Sequence, residues 1–163
     1  MPTARNLERL RVRCQPLATN GATSGDLIHE VVEVGRGEAV FRRVAAALRR
    51  WDPHRSWWLR VHPVDEPPAP GQTVVTQVQA GHISPLALAF CDRVTDVINE
   101  PRRCGFTYAT LPGHPERGAE TFLTEWHADD RVTFTVRAFS QPGWPLLRLV
   151  RPALAWVQGR ATR

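Results

Sequence analysis

The sequence contains no lysine. All 21 of its basic side chains are arginines, set against 16 acidic ones for a net charge of +5. Arginine carries a planar, multi-donor fork where lysine carries a compact, strongly hydrated point charge. An arginine-only chain could therefore bind phosphates, or simply reflect a GC-rich codon bias. The arginines run from Arg5 to Arg163 with only short clusters, such as Arg42-Arg43 and Arg49-Arg50. A dedicated nucleic-acid binder shows a denser stripe or a known motif, so the pattern argues against nucleic acid. Cysteine is also scarce: Cys14, Cys91 and Cys104 are widely spaced, with no CxxC pair. The odd count argues against a disulfide framework, and the missing pair against a zinc knuckle. No run approaches the ~20 apolar residues of a membrane span, and the mixed-charge start lacks the apolar stretch of a signal peptide. A cytoplasmic location is the resulting expectation.

Motifs of common enzymes are missing too. There is no GxSxG, no Walker loop, no GxGxxG after a strand and no HExxH. The six histidines, His29, His54, His62, His82, His114 and His127, form no tight ligand cluster. The residues thus point to no metal and no cofactor.

What is present is the composition of one globular domain: 163 residues, 42% hydrophobic and 23% charged, enough chain for a substantial core. Residues 1–25 read as an irregular arm ending in the loop-like Thr19-Asn-Gly-Ala-Thr-Ser-Gly25, and residues 26–163 as a single domain. Leu27–Val34 is β-rich. Val40, Phe41, Val44 and Leu48 recur at helical spacing and predict a helix over Glu38–Arg50, closed by Asp52-Pro53. Ser56–His62, Thr73–Ala80, Leu86–Ile98, Arg103–Leu111, Glu120–His127 and Val132–Phe139 follow as strands. In the last, Val132, Phe134, Val136 and Ala138 alternate with polar neighbours, the period-two mark of a sheet with one buried face. Trp144–Gln158 carries Leu146, Leu147, Val150, Leu154 and Val157 at helical spacing, with Pro152 predicting a kink. The middle strands have no helices between them, which favours an antiparallel meander over a parallel sheet. The expected fold is therefore α+β: a curved antiparallel sheet wrapped around a long C-terminal helix.

The most distinctive stretch is Leu111-Pro-Gly-His-Pro-Glu-Arg-Gly118, a proline- and glycine-rich reversal between two strands. With Tyr108 before it and Glu120 after it, this segment resembles the domain-of-unknown-function family 1990. Gly35–Phe41 with the helix after it, and Phe134–Ser140 with the Trp144–Arg160 segment, agree. Gln141 stands where that family often has arginine. The family is similar to the START-like helix-grip (SRPBCC) superfamily, and the resemblance implies a cavity for an apolar ligand between sheet and C-terminal helix.

The candidate site follows from these readings. His114 titrates near neutral pH and could exchange a proton, with Glu116 or Glu120 setting its tautomer. The same groups could equally just hold the turn, His114 bonding backbone and Glu116 and Arg117 facing water. The expected function is binding of a small apolar or amphipathic molecule. Its lining would come from Tyr108, His114, Glu116, Glu120, Trp126, Leu147, Val150 and Leu154. One alternative is an enzyme on the same scaffold with His114 or Glu120 as acid or base. Another is an arginine-rich protein that binds an acidic partner. The residues do not fix the oligomeric state.

Overall fold

The computed structural model describes residues 26–56, 58–79 and 87–142. Seven strands form one sheet: β1 (Asp26–Arg36), β2 (Leu59–His62), β3 (Thr73–Gln79), β4 (Ala87–Glu100), β5 (Arg103–Thr110), β6 (Glu116–Trp126) and β7 (Arg131–Pro142). A helix, α1 (Glu38–Arg49), and a 3-10 turn (Asp52–His54) lie between β1 and β2. The strand order is β1-β7-β6-β5-β4-β3-β2, and every neighbouring pair is antiparallel. The middle of the chain is thus the expected meander.

The expected long C-terminal helix inside the sheet is not the architecture. The described residues are mostly strand in a curled, half-barrel sheet, and their one α-helix is the 12-residue α1 near the start. The predicted helix over residues 144–158, with Leu147, Val150 and Leu154, falls outside the described residues. The helix-grip expectation went astray because it gave the inner face of the sheet to the last apolar segment. The packing gives much of that face to α1. Phe41, Ala45 and Leu48, spaced four and three apart, are its buried stripe.

Local chemistry explains how α1 is set on the sheet. Glu38 in its first turn and Arg49 in its last complement the helix dipole. Gly37, with φ +82°, starts the helix and donates its amide to Asp130 O at 2.9 Å, tying the helix to the β6–β7 turn. Phe41 and Ala45 pack on Cys104 and Val132, while Leu48 packs with Trp51, Val94, Phe106 and Phe122. Trp51 ends the helix in the left-handed region, φ 59°, fully buried, with its indole N–H donating to Glu66 O at 2.9 Å. This turn redirects the chain so that His54, three residues on, drops onto the aromatic core. Its ring lies 4.9 Å from Phe122, 5.6 Å from Tyr108 and 6.1 Å from Phe106. Cys104 is a free buried thiol.

Register arranges the inner face in rows, because residues opposite one another share a face. One row runs Val97, Phe106, Phe122, Val136 and Glu30. The next runs Val94, Tyr108, Glu120, Ala138 and Ile28. The first is largely apolar core. In the second, polar groups enter.

Candidate functional site

Tyr108 and Glu120 face each other across β5 and β6. The phenol O–H donates to Glu120 Oε2, and the phenol oxygen lies 3.1 Å from His54 Nε2. The single hydroxyl proton goes to the carboxylate, so His54 bonds the phenol oxygen as the Nε2–H tautomer. Its Nδ1 is then a bare acceptor, buried and without a hydrogen-bond partner among the described residues. Burial holds His54 down to about 4 from its ordinary 6.5, so it is neutral at physiological pH. Tyr108 is pushed well up by burial first, then by the charges of Glu120 and Asp92.

Asp92 on β4 is the second centre, only 1% exposed. Its Oδ2 accepts a hydrogen bond from Thr76 Oγ1 at 2.7 Å. Its Oδ1 is buried with no hydrogen-bond partner among the described residues. His114 Nε2 lies 3.7 Å from that oxygen, beyond hydrogen-bond reach. Burial pushes the Asp92 carboxyl up to about 7, the Thr76 hydrogen bond opposes the rise, and the Glu120 charge adds to it. Glu120 is itself raised, by burial against the pull of Tyr108 and with the push of Glu116. Glu116 is raised by burial.

The Leu111–Gly118 reversal is tighter than its sequence suggests, because β6 begins at Glu116 and not near Glu120. His114 folds back from the turn. Its Nδ1 lies within hydrogen-bond reach of both backbone groups of Glu116, the carbonyl at 2.8 Å and the amide at 3.0 Å, and its ring packs against Phe90 at 4.8 Å. Burial holds His114 down to about 4, against the opposing pull of the Glu116 carbonyl on Nδ1. The turn-holding role and the inward placement therefore coexist in one side chain. Gly118 is required at the start of β6, since a Cβ there would stand 1.8 Å from Phe139 O.

The structure thus gathers Tyr108, His114, Glu116 and Glu120 at one end of the inner face. Trp126 is not among them. Six residues further along β6, about 20 Å away at strand rise, it packs on Phe41. There its indole N–H bonds Asp130 Oδ1 at 2.9 Å, and Arg102 lies over its ring at 4.2 Å. His54, Asp92 and Thr76 complete the cluster and were not singled out from sequence. The readable signal was Asp92, a carboxylate inside the apolar run Leu86-Ala-Leu-Ala-Phe-Cys-Asp-Arg-Val94.

Elsewhere, a shallow groove of about 220 Å³ lies between the end of α1, Pro67-Pro68 and the β4–β5 hairpin. It shares Phe106 with the aromatic core and none of the titrating groups around Asp92 and Glu120. Several arginines are matched locally: Arg42 with Glu38 at 2.6 Å, Arg50 with Asp52 at 2.7 Å, Arg103 with Glu125 at 2.9 Å and Arg131 with Asp129 at 2.6 Å. No three His, Cys, Asp or Glu side chains among the described residues form a metal-ligand set. No helix among them is long and apolar enough to cross a membrane.

The fold and this cluster define a curled antiparallel-sheet domain with a buried acid–tyrosine–histidine centre. Residues 18–163 match the family described as "Domain of unknown function (DUF1990)", and the chain belongs to it. It is 36% identical over 139 residues to a UPF0548 protein of Deinococcus radiodurans, covering 81% of this chain and 70% of that protein. A UPF0548 protein of Dictyostelium discoideum is 28% identical over 139 residues, covering 79% of this chain and 64% of its own length. A crystal structure of a hypothetical protein from Helicobacter pylori superposes with a TM-score of 0.53. The superposition covers 88% of this chain and 96% of that one, at 12% identity, a likeness of fold alone. These matches do not establish the likeness to the START-like superfamily.

Proposed function

We propose that the domain binds a small amphipathic molecule at the polar end of the inner face, its polar group held by Asp92, Glu120, Tyr108 and His54. The observation that carries this is Asp92: a carboxyl 1% exposed, with one oxygen lacking a hydrogen-bond partner among the described residues. A buried polar atom left unpaired costs about 1–3 kcal/mol, and such exceptions in a folded protein call for a functional reason. A ligand donor reaching Asp92 Oδ1, and another reaching His54 Nδ1, would offset that cost. Ala138 and Ile28 continue the Tyr108–Glu120 row and offer an apolar surface to the rest of the molecule.

The test is denaturing extraction of purified protein followed by mass spectrometry, alongside the same extraction from Asp92→Asn and Glu120→Gln. The expected result is a small molecule released from the wild type and depleted in both variants. A clean wild-type extract, together with no thermal shift across a panel of amphipathic acids and amines, would end the proposal.

A second reading is acid–base catalysis on the same groups, favoured by the Asp92 carboxyl lying at about 7. A group at that value can take or give a proton at neutral pH. Turnover of a bound compound that disappears in Asp92→Asn, with binding retained, separates this reading from pure binding.

A further inference from the structure

We propose that the ligand is a small alkylamine whose ammonium group donates to Asp92 Oδ1 and His114 Nε2 beside Glu120, an assignment that rests on the binding reading above and narrows it. The hydrogen bonds of the cluster come first. The Thr76 hydroxyl donates to Asp92 Oδ2, the Tyr108 hydroxyl to Glu120 Oε2, and His54 Nε2–H to the phenol oxygen. His114 Nδ1 lies 2.8 Å from the Glu116 carbonyl, a distance that needs the proton on that nitrogen, so Nε2 is a bare acceptor. These donors are therefore all used, and the open positions are acceptors. Asp92 Oδ1 is buried with no hydrogen-bond partner among the described residues. It stands 3.7 Å from His114 Nε2, too far to share a proton. An occupant must donate, and a nitrogen with two N–H groups can serve both atoms.

Charge then narrows the donor to a cation. Asp92, Glu120 and Glu116 share the inner face, where the charge of Glu120 acts on Asp92 and that of Glu116 on Glu120. Among the described residues, none of the three pairs with an arginine. Arg93 and Arg117 follow Asp92 and Glu116 directly and so lie on the opposite face of their strands. Arg93 is engaged there with Gly71 O at 2.8 Å. A carboxylate ligand would add a further negative charge to this face, and an alcohol would supply a donor without the missing charge. An ammonium supplies both, and hydrogen bonds between charged groups are about twice as strong as neutral ones. No three side chains among the described residues form a metal-ligand set, which favours an organic cation. Glu116 and Glu120 are half-buried and His114 is 13% exposed, against 1% for Asp92. The acidic row thus leads inward from the Leu111–Gly118 turn to Asp92.

The experiment is an NMR titration of the purified full chain at neutral pH with four probes that share one alkyl chain: hexylamine, 1-hexanol, hexanoate and hexyltrimethylammonium. The last carries the charge without an N–H. Hexylamine should bind about tenfold or more tighter than each of the others. Asp92→Asn should weaken hexylamine by about tenfold or more. That variant has no charge to bury and should be at least as stable as the wild type, so lost binding is not lost folding. Bound hexylamine should also lower the pH at which the Asp92 carboxyl carbon titrates, while 1-hexanol leaves it in place. Tighter binding of 1-hexanol or hexanoate overturns the amine and leaves the binding reading standing. So does equal binding of the quaternary probe, or hexylamine binding indifferent to Asp92→Asn. Silence from all four probes also overturns the amine, and the binding reading falls with it only if the wild-type extract is clean as well.

Discussion

Replacing Asp92 by asparagine should stabilise the protein, and do so more at high pH than at low pH. Asparagine keeps nearly the same shape and can still accept the Thr76 hydroxyl through its side-chain oxygen, but it has no charge to bury. The Asp92 carboxyl sits at about 7 in the folded protein against an ordinary 3.8. A carboxyl raised on folding adds stability that is complete below the lower value. That stability drains away as the pH climbs and is gone above the upper one. The full span corresponds to roughly 4 kcal/mol, and about 2–3 kcal/mol of it falls between pH 5 and pH 8. His54 and His114 are shifted the other way, so the pH profile of the wild type alone mixes opposing slopes. The difference between variant and wild type isolates Asp92. Urea unfolding at pH 5 and pH 8 measures it through the midpoints at constant m-value. A variant whose advantage is the same at both pH values, or which is less stable than wild type at pH 8, would refute a buried, weakly compensated carboxyl.

Three further outcomes are expected. His54→Phe should narrow the loss of stability on acidification. His54 is held to about 4 against an ordinary 6.5, so its share is present above 6.5 and lost as pH falls toward 4. Unfolding at pH 8 and pH 5 should show about 2 kcal/mol less loss in the variant, and an unchanged slope would contradict the placement. Tyr108→Phe removes the hydrogen bond that lowers the Glu120 carboxyl. Carboxyl carbon shifts followed by NMR should therefore show Glu120 titrating higher than in the wild type, and a downward move would count against the Tyr108–Glu120 contact. Gly118→Ala drives a Cβ into the β7 backbone at Phe139 O and should cost about 3 kcal/mol or more. A melting temperature matching wild type would show the β6–β7 approach to be looser than described.

The strands were legible where apolar and polar residues alternate, although in β7 the polar Thr133 and Thr135 are buried too. Val132, Phe134, Val136 and Ala138 alternate in sequence and all fall on the inner face of β7. The helix was legible as well from Val40, Phe41, Val44 and Leu48 at helical spacing, although its buried stripe is Phe41, Ala45 and Leu48, with Val40 and Val44 only partly covered. The reversal at Leu111–Gly118 was visible in its prolines and glycines. Tyr108 and Glu120, 12 residues apart, could be suspected as a pair because a tight hairpin folds one strand onto the next. Asp92 and His54 could not be joined to them in this way. Asp92 reaches the site through the β4–β5 pairing and Thr76 of β3, and His54 reaches it because Trp51 turns left-handed at the end of α1.

The local grammar of this chain, which segments extend, which one coils and where it reverses, follows from side-chain periodicity and from the backbone limits of proline and glycine. These act within a few residues and are written in order along the chain. The packing of α1 onto the sheet core was decided elsewhere. So was the burial of the Asp92 carboxyl beside Glu120. Both depend on which distant surfaces meet and exclude water, and a charge is perturbed only by what surrounds it in space.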